Sequence, residues 1–199
     1  MDAAAWDARY AATDLVWSAG PNQFVEQALS DLPPGRALDL ACGEGRNARW
    51  LALRGWAVTA IDWSAVGVEK GRAITPDVDW RVGDALTAPL PTGLDLVVMA
   101  YFQVPAPDRR TAVRRAVASL APGGRLLVVA HDSTNLTEGT GGPKDPAVLY
   151  TAEDVLVDLA APPRLEVLRA ERVPRTVVSP DGHGPAGTAW DALVDVRVG

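Results

Sequence analysis

Apolar positions along this chain follow two alternating periods. Short, bounded apolar runs at Ala37 to Ala41, Val58 to Ile61, Leu94 to Ala100 and Leu126 to Ala130 predict buried strands, and "DWRVGD" (79–84) predicts a further strand between the second and third of them. Helical spacing fills the gaps. Val25, Ala28, Leu29 and Leu32 share one helix face behind Pro21, and "LPPG" ends that segment. Val113, Ala116, Val117 and Leu120 share another, which "APGG" (121–124) is expected to terminate. Thr151 and Asp154 read as the cap of a helix carrying Val155, Leu156 and Leu159. A helix after Ser64 contains Gly67 and Gly71, each of which costs about 1 kcal/mol relative to Ala. Strands alternating with helices imply right-handed βαβ units and a parallel sheet covered on both faces.

The C-terminal part breaks this alternation. Leu165 to Val178 and Ala189 to Val198 both read as strands, and "SPDGHGPAG" between them leaves no room for a crossover helix, so they must run antiparallel. "NLTEGTGGPKD" (135–145) is a turn-rich loop long enough to be functional. With no repeat or linker, the 199 residues are expected to form one domain, with residues 1–34 as an N-terminal arm and first helix and 35–199 as its core.

Composition narrows the function classes. The 48% hydrophobic and 22% charged content is that of a globular chain. A net charge of -6, from 19 basic and 25 acidic residues without a basic cluster, argues against a nucleic-acid partner. Cys42 is the single cysteine, which suits a reducing compartment. No apolar run is long enough to span a bilayer, and "MDAAAWDARY" lacks an apolar leader segment, so a cytoplasmic protein without membrane contact is expected. His131 and His183 have no neighbouring acids at a ligand spacing, and no metal is expected.

Chemistry concentrates in "ALDLACGEGRNARWLALRGW" (37–56), where a strand passes into a helix through Gly43 and Gly45. In a doubly wound sheet, glycines in that turn let the backbone approach a ligand beyond the carboxyl ends of the strands. Asp62 ends the next strand about 20 residues later, where a carboxylate can accept ribose hydroxyls. Asp84 ends the third. These features point to an adenosine-containing ligand. "CGEGRNA" also satisfies G-x-G-x-x-A through Gly43, Gly45 and Ala48, so a nicotinamide dinucleotide stands as an alternative.

The ordered set "LDLACGEGRNA", "AIDWS" and "GDA", together with the reversed terminal strand, resembles the class I S-adenosylmethionine-dependent methyltransferases. "WDARYAATDLVWSAGPNQFV", "CGEGRNA" and "NLTEGTGGPKDP" are similar to the small tellurite-resistance-type bacterial methyltransferases. The resemblance implies an α/β, Rossmann-like sheet of seven strands in order 3-2-1-4-5-7-6, with strand 7 antiparallel. It implies S-adenosylmethionine as cofactor and a small-molecule methyl acceptor as partner. Carried over by position, Gly43 and Gly45 approach the methionine moiety, Asp39 anchors its amino side through backbone or water, and Arg46 and Asn47 hold its carboxylate. Asp62 holds the ribose, Trp63 flanks adenine, and Asp84 with Ala85 meets its polar edge. Tyr10, Ala41 and Met99 complete the implied cofactor site.

Catalysis by such a cofactor rests on alignment and water exclusion more than on reactive side chains. His131, at the carboxyl end of the fifth strand beside Asp132, is the candidate general base. Tyr101 and Phe102 are expected to line the acceptor pocket, and Cys42 to serve as small packing. Trp6, Tyr10 and Trp17 are either a lid over the cofactor or packed core aromatics. An NAD(P)-dependent oxidoreductase and a non-catalytic S-adenosylmethionine-binding module remain the alternative functions.

Overall fold

Seven strands form one sheet in the order β3-β2-β1-β4-β5-β7-β6. They are β1 (Arg36–Leu40), β2 (Ala57–Asp62), β3 (Asp79–Val82), β4 (Leu94–Ala100), β5 (Leu120–His131), β6 (Leu165–Val178) and β7 (Pro185–Val198). The helices are α1 (Ala3–Ala11), α2 (Gln23–Leu29), α3 (Arg46–Leu53), α4 (Ala65–Ile74), α5 (Ala106–Ala118), α6 (Asn135–Glu138) and α7 (Ala152–Leu159). This computed structural model describes residues 2–16, 19–160, 164–178 and 185–199. The expected strand order is therefore the observed one. Strands β1 to β5 pair in parallel, while β7 runs antiparallel to both β5 and β6.

Alternation along each central strand divides the core in two. Leu38, Val97, Met99, Leu126 and Val128 point to the side covered by α5 and α7, where Val113, Ala116, Val155 and Leu159 meet them. Ala37, Leu96, Val98, Leu127 and Val129 point to the other side, where Val25, Leu29, Ala48, Leu51 and Val68 of α2, α3 and α4 complete the layer. Strands apolar on both faces are the reason the sequence shows continuous runs instead of alternation.

Local chemistry sets the element ends. The Thr151 side chain accepts from Asp154 N, and Asp154 Oδ2 accepts from Thr151 N, a reciprocal cap for α7. Three boundaries differ from the sequence reading. Helix α2 begins at Gln23, because the Asn22 side chain accepts from Phe24 N and Val25 N; Pro21 precedes this cap, and Leu32 lies beyond the helix end. The "APGG" segment is not a loop after α5: it lies inside β5, where Leu120 pairs with Leu94 before a register shift. Strand β7 starts at Pro185, four residues earlier than expected. The loop containing His183 lies outside the described residues.

The two glycines of α4 have packing reasons. A Cβ on Gly71 would stand 2.3 Å from the Trp80 ring, and one on Gly67 would stand 3.2 Å from the Tyr10 ring. Both aromatic rings lie against helix backbone, which offsets the propensity cost.

Candidate active site

The glycine turn is held from beneath by two carboxylates. Asp39, near the end of β1, accepts from Ala48 N at 2.9 Å and so caps α3, whose N-cap residue Gly45 has no side chain to do it. Asp62, at the end of β2, accepts from Gly43 N and from Ser64 N, both at 2.8 Å, and stitches the first two strand-to-helix turns together. Gly43 and Gly45 take left-handed φ values of 57° and 74°, as does Ala41 at 59°. Gly45 also has a steric reason, since a Cβ there would overlap Trp80 at 2.1 Å.

Both carboxylates are buried, with relative exposures of 1% for Asp39 and 7% for Asp62. Burial pushes the Asp39 carboxyl up to about 7, opposed by the Ala48 N–H and reinforced by the negative charge of Asp62. Burial also raises Asp62, with the Ser64 and Gly43 N–H groups pulling the other way. Oδ1 of Asp39 is buried and accepts no hydrogen bond among the described residues. An orphaned carboxylate oxygen costs free energy and calls for a donor, best a cationic one. The methionine ammonium of S-adenosylmethionine is such a donor, so these residues fit that cofactor.

The N-terminal arm forms a helix, α1, which the sequence reading left unassigned. Asp7 Oδ1 accepts from Ser64 Oγ at 2.5 Å and from Val66 N at 3.1 Å, docking α1 on the start of α4. Tyr10 is buried, and its ring and the Gly43 carbonyl both approach Gly67. Trp6 stacks on it with centroids 5.5 Å apart. Lys70 Nζ donates to the carbonyls of Tyr10 and Thr13 and pairs with Glu44 Oε1 at 2.9 Å, while Glu44 Oε2 accepts from Val16 N at 3.0 Å. Glu44, between the two glycines of the turn, thereby ties the arm to it. Trp17 lies outside the described residues.

The other candidate positions divide. Trp63 follows Asp62 and is half-buried. Asp84 accepts from Leu86 N at 2.8 Å and shapes the turn after β3. Ala85 is buried, its carbonyl accepting from Arg115. Met99 turns its side chain into the apolar core, so only its backbone stands at the sheet edge. Asn47 takes a structural task that was not foreseen: its Oδ1 accepts from Asn22 N at 2.9 Å and joins the starts of α2 and α3. The Arg46 guanidinium lies 5.8 Å from the Tyr101 ring centroid. Gly45 and Arg46 line a small open cleft with Leu15, Ala19 and Arg49. Burial lifts the Cys42 thiol well above its ordinary range, which keeps it unreactive.

A second polar group stands beyond β4 and β5. Tyr101, at a left-handed φ of 61°, donates its hydroxyl to Asp191 Oδ2 at 2.9 Å and accepts from Asn22 Nδ2 at 3.2 Å. Arg175 Nε donates to the same Asp191 oxygen at 2.6 Å. His131 ends β5, as expected, with Nδ1 3.4 Å from Asp191 Oδ1 and its ring 4.8 Å from that of Tyr101. Asp132 is not its partner, because Oδ1 of Asp132 is occupied by Thr134. Asp191, Arg175 and Asn22 were missed by sequence reasoning. The available signal was an acid, Asp191, inside the apolar run of β7, which the structure buries fully.

A seven-stranded sheet with a reversed seventh strand, and a glycine turn between two buried carboxylates, define a class I methyltransferase fold. Comparison with known proteins agrees: residues 37–124 match the family described as "Methyltransferase domain". Among curated relatives, an uncharacterized methyltransferase of Mycobacterium tuberculosis is 36% identical over 130 residues, covering 63% of this chain and 66% of the relative. A probable chloroplastic tocopherol O-methyltransferase of Oryza sativa is 34% identical over 111 residues, covering 52% and 31%. The chain thus spans from about a third to just under two thirds of these relatives' lengths.

Solved structures share the fold at low identity. The N-methyltransferase NodS of Bradyrhizobium japonicum, in complex with S-adenosylhomocysteine, has a TM-score of 0.72 at 22% identity, covering 96% of each chain. TehB of Haemophilus influenzae also has 0.72, at 19% identity, covering 90% of this chain and 63% of its own. A chain from work on the conversion of a disulfide bond into a thioacetal group in echinomycin biosynthesis has 0.77 at 18%, covering 98% and 92%.

Proposed function

We propose that this protein transfers a methyl group from S-adenosylmethionine to a small-molecule acceptor, acting as one methyltransferase domain over residues 1–199, with 1–34 as its arm and first helix. The observation that carries this reading is the orphaned Oδ1 of Asp39 under the glycine turn. It supplies a buried carboxylate acceptor where the cofactor's ammonium is needed, one strand from the carboxylate of Asp62 that suits a ribose. In this reading Asp39 holds the amino group, the left-handed stretch from Ala41 to Gly45 brings the backbone close, and Arg46 meets the carboxylate. Trp63, Asp84 and Ala85 take the adenine side, and Tyr10 of the docked arm covers the turn. The bound cofactor supplies a methyl group already activated on a sulfonium. The protein's residues bind, orient and exclude water.

Three observations support a small acceptor. The acidic net charge of -6 disfavours a nucleic-acid substrate, the relatives include a tocopherol methyltransferase, and the polar group around Tyr101 and His131 stands at the same sheet edge as the glycine turn. No helix of the described residues is long and apolar enough to cross a membrane, and the one cysteine suits the reducing cytoplasm. Titration calorimetry tests the reading: S-adenosylmethionine and S-adenosylhomocysteine should bind, and NAD(P) should not. Dinucleotide binding without response to either adenosyl compound would reverse the assignment. Binding without methyl transfer to any member of a metabolite pool would favour the non-catalytic module.

A further inference from the structure

The pairing register of β5 and β7 places His131 directly opposite Asp191. Residues opposed across an antiparallel pair have Cβ atoms about 5 Å apart, so an imidazole and a carboxylate there must meet. We propose that Asp191 is the positioning residue that makes His131 a general base toward the acceptor, and that the acceptor atom is therefore the oxygen of a hydroxyl group. The proposal deepens the methyltransferase reading and rests on it.

Geometry supports each part. Asp191 has no solvent exposure and is fixed from two sides, by Arg175 Nε at 2.6 Å and the Tyr101 hydroxyl at 2.9 Å. Burial pushes its carboxyl up, but hydrogen bonding and charge from Arg175, with a further contribution from the nearby His131, outweigh burial and hold it below the ordinary range. It is an anion whose Oδ1 faces Nδ1 of His131. That nitrogen is buried, and the 3.4 Å contact is too long and badly directed for a full hydrogen bond in this form. Such contacts tighten when substrate arrives.

The imidazole cannot easily turn away. Its backbone N–H is held by Gln103 Oε1 at 2.8 Å, and Tyr101 packs on its ring. A Cβ on Gly142, which has φ 76°, would stand 3.0 Å from Nδ1, so the 139–145 loop closes over that face only because the residue is glycine. The groups facing His131 are thus Asp191 of β7 and Tyr101 just past β4, with Arg175 of β6 behind the carboxylate and Arg46 of α3 near the Tyr101 ring. With Nδ1–H directed at Asp191, Nε2 carries the lone pair, as in the carboxylate–histidine arrangement of hydrolytic triads.

A base so placed selects its acceptor. A thiol ionises near pH 8.5 without help and a neutral amine attacks through its own lone pair before losing a proton, whereas an alcohol or phenol ionises at about 10 or above, so the hydroxyl gains most from an oriented base. The acceptor's oxygen forms the new bond to the methyl carbon while its proton passes to Nε2 of His131. The electron pair of the broken carbon–sulfur bond stays on sulfur.

Nitrogen-15 NMR of histidine-labelled protein tests the arrangement without any activity. The chain has only two histidines, so a His183→Gln variant leaves the His131 signals alone. The expected spectrum shows neutral His131 protonated on Nδ1. Protonation on Nε2 in the otherwise intact protein would overturn the proposal whether or not a variant folds. Asp191→Asn should move the proton to Nε2 and lower the turnover rate about 10²- to 10⁴-fold, while calorimetric affinity for S-adenosylhomocysteine stays within about threefold. With methyl-labelled S-adenosylmethionine and a pool of phenols, alcohols, amines and thiols, the label should appear in an ether. Label only in amine or thioether products would refute the hydroxyl assignment. Failure of the wild type to bind S-adenosylhomocysteine would instead refute the methyltransferase reading beneath it.

Discussion

Replacing Asp39 with Asn should make the unliganded protein more stable and a poorer binder of cofactor. In the folded protein burial raises this carboxyl from 3.8 to about 7. A group raised on folding contributes its full stability below the unfolded value, and that contribution is lost as pH rises through the folded one. At 1.36 kcal/mol per pH unit, the interval between 3.8 and about 7 amounts to about 4 kcal/mol, lost between roughly pH 4 and pH 7. Part of this is relieved by relaxation around the site, so a gain of about 1 to 3 kcal/mol at pH 8 is expected for Asp39→Asn. The amide is isosteric and can still accept from Ala48 N, so the cap on α3 survives. Urea denaturation at pH 8 and at pH 4.5 measures the effect. The variant should be the more stable protein at pH 8, with most of the difference gone at pH 4.5. Cofactor affinity should fall about 10- to 100-fold, because a charge-assisted hydrogen bond to the ammonium is replaced by a neutral one. A variant less stable than the wild type at both pH values would refute the reasoning, since Asp39 would then be satisfied in the unliganded protein.

Other expectations follow from the same contacts. Asp62→Ala should weaken S-adenosylhomocysteine binding about 10- to 100-fold by calorimetry, and unchanged affinity in a folded variant would move the ribose contact elsewhere. Gly71→Ala should cost about 1 to 3 kcal/mol in urea denaturation despite its better helix propensity, because the new Cβ meets Trp80, and adding Trp80→Leu should recover part of that cost. Lys70→Ala should speed amide exchange over residues 10–16 about 5- to 30-fold by removing their anchor, and cofactor binding should slow exchange of the same residues in the wild type. Exchange in that segment indifferent to both changes would show α1 to be a static part of the core.

Most of the sheet could be read from the chain because its evidence is local. Apolar runs, an Asp at the end of β2 and the Thr151–Asp154 cap are features of a few adjacent residues. What escaped depends on partners far away in sequence. Helix α1 is alanine-rich with only Tyr10 buried, and its position is set by Asp7 on Ser64 and Lys70 on the Tyr10 carbonyl, nearly sixty residues distant. Gly67 and Gly71 look unfavourable in α4 until Tyr10 and Trp80 are in place. The "APGG" segment has turn residues, yet its backbone pairs with β4 through Leu120 and Leu94. The His131–Asp191 pair exists only in one register of β5 against β7, and a slip of one residue would turn Asp191 to the opposite face.

The backbone itself marks where the two halves of the site meet. Strands β1 and β4 are neighbours at the reversal of strand order, the position at which open α/β sheets bind ligands. Just past their carboxyl ends stand Ala41 and Tyr101, the two non-glycine residues with positive φ among those described. Left-handed backbone costs a residue with a Cβ about 1 to 2 kcal/mol, so each must be held in place. Tyr101 N donates to Val129 O at 2.7 Å, and Cys42 N, next to Ala41, donates to Ile61 O at 3.1 Å. Each reversal therefore extends the sheet's own pairing one step before the chain turns aside. One turn leads to Gly43, Glu44 and the docked arm; the other presents the Tyr101 hydroxyl to Asp191 beside His131. The same strain at adjacent strand ends thus sets the glycine turn and the Tyr101–His131 group side by side, which ties both to one edge of the sheet.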